Sequence, residues 1–126
     1  MVNHSLRTYW FSRLLGETVS MSYDDEVLYV ASLLHDIGFY GDHATATPEA
    51  ECFAVRGANA AQALAEEHGW DGSRRERAAE TISLHVNGTA APEAGAEPYL
   101  MQRGVMLDIT GLYAWAVNPD EVRGVF

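Results

Sequence analysis

Four side chains of this 126-residue sequence could together hold a transition metal: His4, the adjacent pair His35-Asp36, and Asp108. A set mixing neutral imidazole nitrogen with carboxylate oxygen suits zinc, manganese, iron, cobalt or nickel better than calcium, which prefers oxygen alone. The His35-Asp36 pair closes an apolar run from Val27 to Leu34, with Gly38 just behind it. That position fixes both groups on a rigid element. Asp108 stands between Val105-Met106-Leu107 and Ile109, and a carboxylate in so apolar a surround must be paired or metal-bound. Such a centre acidifies a bound water and polarises the atom under attack, while Asp36 and His85 are the candidates to move protons. Arg7 lies one helical turn beyond His4, where it could hold an anionic or polar substrate. Each residue also has a plainer reading: a helix-end salt bridge for the pair, a frayed terminus for His4, a core histidine for His85.

These groups need helices to position them. His4 to Leu15 has apolar residues at helical spacing (Leu6, Tyr9, Trp10, Leu14), and Gly16 stops it; His4, Arg7 and Phe11 share one face. Ser22-Tyr23-Asp24-Asp25 reads as a capping box opening a helix to about Ile37, apolar on nearly every side and therefore central. Thr47-Pro48-Glu49 starts a third helix running to Gly69, with small residues Gly57, Ala58, Ala60 and Ala61 that allow close approach. Ser73-Arg74-Arg75-Glu76 is a second capping box, for a helix carrying Ala78, Ile82 and His85 to near Gly88. After an Ala/Gly/Pro-rich loop, Pro98 opens the last long helix, through Leu100, Val105, Asp108 and Tyr113; Asn118 to Glu121 begins a further turn. No alternating β pattern appears. The sequence predicts an all-α bundle of about five helices forming one domain over residues 1–126.

Composition narrows the function. The net charge is −10 and all eight basic residues are arginine, so the chain repels nucleic acid and anionic membrane. No window is an uninterrupted membrane span, and the N-terminus lacks the plan of a secretory signal. The single cysteine, Cys52, excludes an intrachain disulfide and reads as a small buried hydrophobe in a reducing, cytoplasmic protein. His43 and His68 read as solvated residues, and Trp10, Phe11, Trp70 and Trp115 as core or dimer-interface aromatics.

With His, then His-Asp, then Asp on separate helices of an all-helical core, the chain resembles the HD superfamily of metal-dependent hydrolases. Within it, Asn3-His4-Ser5-Leu6-Arg7-Thr8-Tyr9, the Phe53 to Ala58 stretch and Ile82-Ser83-Leu84-His85 are similar to motifs of the cyanamide-hydratase-like branch. The resemblance implies a metal held by His4, His35, Asp36 and Asp108. Two-metal members carry a histidine where Phe53 stands, so it implies one divalent ion, with Phe53 lining the pocket and His85 lining it or acting as an auxiliary ligand, and argues against di-iron oxygenase chemistry. Ala54 replaces the branch's usual glutamate. Relatives have a helical segment ahead of the first histidine; here the start is expected to be shortened, or a partner chain to cover that side, and a homodimer is the expected assembly.

The expected activity is hydrolysis or hydration of a small polar molecule, nitrile or cyanamide-like, by metal-activated water. Two alternatives stay open: a phosphomonoesterase acting on a nucleotide or other small phosphate, and a non-catalytic domain in which the metal merely staples the helices.

Overall fold

The computed structural model describes residues 2–39, 53–85, 92–111 and 118–125. Among them are six helices and no strand: α1 (Val2–Thr18), α2 (Asp25–Leu34), α3 (Phe53–Glu67), α4 (Gly72–Leu84), α5 (Ala96–Thr110) and α6 (Pro119–Val125). The all-α expectation holds, with a seven-residue α6 where only a turn was expected. The start expected at Thr47-Pro48 and the end near Gly88 lie outside the described residues, as do His43, Cys52 and Trp115.

Local chemistry explains the boundaries. The cap of α2 is Asp24 rather than Ser22: its carboxylate accepts from the backbone N–H of Glu26 and Val27. Asp71, not Ser73, caps α4 by accepting from the Arg74 N–H. A carboxylate accepts more strongly than a hydroxyl at the positive end of a helix, so each aspartate displaces the serine as cap. The end of α5 comes earlier than expected, at Gly111 in the left-handed conformation (φ 73°). Likewise α2 ends at Leu34, and the chain goes through His35 and Asp36 into a 3-10 turn, Ile37–Phe39.

The helix directions decide where the chemistry gathers. Contacts of α2 reach α1, α3, α4 and α5, which makes it the central helix. The start of α2 meets the start of α4 through Asp24 and Arg74, and their ends meet through His35 and His85, so the two run parallel. Tyr9 bonds to Asp25 while His4 meets His35, so α1 is antiparallel to α2. Its partner α5 is antiparallel to it, with Leu100 beside Gly16 and Asp108 beside His4. One end of the bundle therefore collects the start of α1 and the ends of α2, α4 and α5.

Two apolar clusters hold this arrangement. Tyr9, Leu28, Ala31, Ala58, Ala61, Ile82 and Met101 join α1 to α5 through the centre. Phe11, Leu15, Leu100 and Leu107 form the second, against which Val122 and Val125 of α6 pack. The buried face of α1 is only partly the expected apolar one: Tyr9 is buried as expected, but Ser5, Thr8 and Ser12 are buried too, beside Phe11 and Leu15, while Trp10 is exposed. The reason is proximity. A Cβ on Gly104 of α5 would overlap Ser12 Oγ and stand 2.6 Å from the Thr8 carbonyl oxygen. Only small side chains fit at such a crossing.

Candidate metal centre

His35 occupies the C-cap of α2 and is fully buried. Its Nδ1 lies 2.7 Å from the carbonyl oxygen of Ser32. A carbonyl only accepts, so Nδ1 carries the proton and Nε2 keeps its lone pair. His4, in the first turn of α1, is fixed in the same sense: its Nδ1 is 2.5 Å from Asp108 Oδ2, which leaves Nε2 as the free acceptor. The two Nε2 atoms face each other at 3.2 Å. Asp36 Oδ2 completes the group, 3.2 Å from His35 Nε2 and 3.8 Å from His4 Nε2.

With Nδ1 of each ring turned to a partner outside the group, His4 Nε2, His35 Nε2 and Asp36 Oδ2 converge, and their separations suit a metal ion, which can take all three, better than a proton, which bridges only one pair. Bonds of 2.0–2.2 Å to a tetrahedral zinc place neighbouring ligand atoms roughly 3.3–3.6 Å apart, close to the three separations seen. Among the described residues, His4, His35 and Asp36 are a group whose ligand atoms all lie within 4.8 Å of one another. The C-termini of α2, α4 and α5 add the negative ends of their helix dipoles at this end of the bundle.

Asp108 stands behind His4. Besides the His4 bond, it accepts from Arg7 Nε at 2.5 Å and from Arg7 Nη2 at 3.2 Å. Burial opposes its charge, but Arg7 and His4 outweigh burial and hold its carboxyl below the ordinary range. The same bond raises the Arg7 guanidinium above its usual value. A carboxylate on the outer nitrogen of a ligating histidine fixes the ring and increases its basicity. Arg7, expected to face substrate, directs these two donors at Asp108. Opposite charges meeting across separate helices leave no sign in local sequence.

His85 repeats the His35 arrangement at the C-cap of α4, its Nδ1 2.5 Å from the Ile82 carbonyl oxygen. Its Nε2 points to the second Asp36 oxygen, Oδ1, at 3.8 Å. Burial pushes the Asp36 carboxyl up, but His35 and His85, when protonated, outweigh burial and hold it well below the ordinary carboxylate range. Phe53 lies edge-on to His85 with ring centres 5.6 Å apart. Thus five of the expected site residues (His4, His35, Asp36, His85, Phe53) adjoin one another at one end, with Asp108 and Arg7 immediately behind His4. What the sequence reading missed are the Ser32 and Ile82 carbonyls, which select the ring tautomers. A histidine closing a helix, three residues after a free carbonyl, is the local signal for that role.

No helix among the described residues is long and apolar enough to cross a membrane. No curated protein matches the chain. The HD domain family matches residues 1–111, nearly the whole sequence, and the histidines and aspartates gathered above fall within that span. The chain belongs to the HD domain family, whose members are typically metal-dependent hydrolases.

Proposed function

We propose that this chain is a single-metal hydrolase or hydratase that adds water to a small molecule with a compact polar reacting group, of the nitrile or cyanamide type. The observation that carries the reading is the convergence of His4 Nε2, His35 Nε2 and Asp36 Oδ2. When bound, a divalent cation supplies Lewis acidity and a water acidified toward a pKa of about 7. His4, His35 and Asp36 would hold it, while Asp108, expected as a fourth ligand, bonds instead to His4 Nδ1 and would orient that ring from behind.

The remaining groups divide the other tasks. His85 has its proton fixed on Nδ1 by the Ile82 carbonyl, so Nε2 is the lone pair available to take a proton from water. For a nitrile, the water oxygen bonds to carbon as one C–N π bond opens; one proton passes to His85 Nε2 and returns to nitrogen, and the proton left on oxygen then shifts to nitrogen, so the imidic acid becomes the amide. Arg7 neutralises Asp108 and keeps it oriented on His4. With its Nε and Nη2 directed at that carboxylate, the arrangement suits an uncharged substrate better than a phosphate dianion, which favours hydration over the phosphomonoesterase reading.

The test is a panel of nitriles, cyanamides and phosphate monoesters given to metal-loaded wild type and to Asp36→Ala. Amide or urea formation by wild type, lost in a folded Asp36→Ala that no longer retains metal, is the expected result. Phosphate release without nitrile turnover would replace the reading with the esterase. Metal bound with no turnover of either class would leave the metal-stapled scaffold.

A further inference from the structure

The side chains of His4 (19%) and Asp36 (24%) reach solvent, whereas those of His35 and Asp108 are closed off. Solvent therefore reaches the group at His4 and Asp36, and the residues that follow Asp36 in the chain form the 3-10 turn Ile37–Phe39. The turn is tightly held: a Cβ on Gly38 would overlap the Phe53 backbone, and Arg56 Nε donates to the Gly38 carbonyl oxygen at 3.1 Å. This clamp presents Phe39 outward, 54% exposed, with its ring stacked on Phe53 at 3.9 Å between centres and 19° between planes.

The stack is continuous with the metal centre. Phe53 meets His85 at 5.6 Å, and His85 meets His35 at 4.9 Å. Aromatic side chains therefore lead from His35 to the surface, with a flat apolar face at the outer end. A single exposed apolar residue is ordinary. Here, however, a backbone clamp holds the exposed ring, and the ring next to it touches the site.

We propose that Phe39 and Phe53 form a specificity wall that seats a flat aromatic or heteroaromatic substituent of the substrate beside the reacting group. The inference rests on the metal-centre reading above and adds the part of the substrate that does not react. Phe53 was expected to line the pocket from sequence; Phe39, beyond the His35-Asp36 pair, was not.

Two chelating probes that differ only in the substituent test it: acetohydroxamate, which carries methyl, and benzohydroxamate, which carries phenyl. Their affinities for zinc-loaded protein are measured by titration calorimetry, with Asp36→Ala as the reference lacking a ligand. Wild type is expected to prefer the phenyl probe. Phe39→Ala and Phe39→Leu, both at an exposed position, are expected to cut that preference by about 3- to 10-fold, the worth of one aromatic stack, while Phe39→Trp keeps it. An unchanged preference in Phe39→Ala overturns the wall and leaves the centre standing. Failure of both probes to bind zinc-loaded wild type removes the centre, and this inference with it.

Discussion

The two ends of the helical bundle are built from the same parts and are balanced differently. At the end away from the histidines, acidic groups meet arginine: Arg74 Nε is 2.8 Å from Asp24, Arg74 Nη2 2.7 Å from Glu26, and Arg77 3.5 Å from the buried Glu97. Glu97 also accepts from the Asp24 backbone N–H, and the Asp24 carboxylate caps α2. Donors and acceptors match. At the other end, Arg7 matches Asp108, but His4, His35 and Asp36 turn acceptors toward one another, because the ring protons are held elsewhere by Asp108 and the Ser32 carbonyl. The helices are alike at both ends, so the surplus of acceptors is a property of the residues placed there. The first end is matched within the chain; the second offers three ligand atoms that a cation could take.

The largest effect should separate the two ends completely. His35→Ala is expected to abolish binding of zinc or manganese in a calorimetric titration, whereas Arg74→Ala at the matched end leaves it intact. Equal losses in the two variants would mean that binding follows overall fold integrity rather than the site. Next in size is His85→Asn, which removes a proton acceptor. Turnover should fall by about 10²- to 10⁴-fold with metal content retained; a parallel loss of metal would make His85 a ligand instead.

Asp108→Asn keeps shape and removes charge behind His4. Metal affinity should drop by about 10- to 100-fold, measured by competition with a chelator of known strength. Complete loss would place the carboxylate directly on the ion. The smallest effect belongs to the matched end. The Arg74 bond first, and then the backbone N–H groups it caps, hold the Asp24 carboxyl below its ordinary value against burial. A lowered folded value means that this stability is present above the unfolded pKa of about 3.9 and is lost as pH falls through the folded one. Asparagine caps a helix as well as aspartate, so Asp24→Asn should cost only the partly exposed Arg74 ion pair, about 0.5 kcal/mol near neutral pH, and flatten that acid loss, as read from urea unfolding at pH 7 and pH 3.

Much of this was legible in the chain itself. The Ser22 to Asp25 and Asp71 to Ser73 stretches marked the starts of α2 and α4 to within a few residues, because capping is local, whereas the stop of α5 at Gly111 was passed over. His35-Asp36 could be placed at a buried helix end from Val27 to Leu34 alone. The face of α1 could not: Ser5, Thr8 and Ser12 look polar, and only the approach of Gly104 makes them interior. For the same reason the Arg7–Asp108 pair, about a hundred residues apart in sequence, and the stacking of Phe39 on Phe53 depend on how helices and turns meet. Neither residue's periodicity carries that information. The parallel course of α2 and α4, which brings His35 and His85 to one end, is likewise a tertiary fact.

The most direct test of the mismatched end is the stoichiometry of metal binding to the whole chain, followed by calorimetry and by elemental analysis after dialysis. One divalent ion per wild-type chain, and none for an Asp36→Ala variant of unchanged helical circular dichroism, is the predicted result. Wild type that retains no ion, or an Asp36→Ala chain that binds as wild type does, would contradict the account.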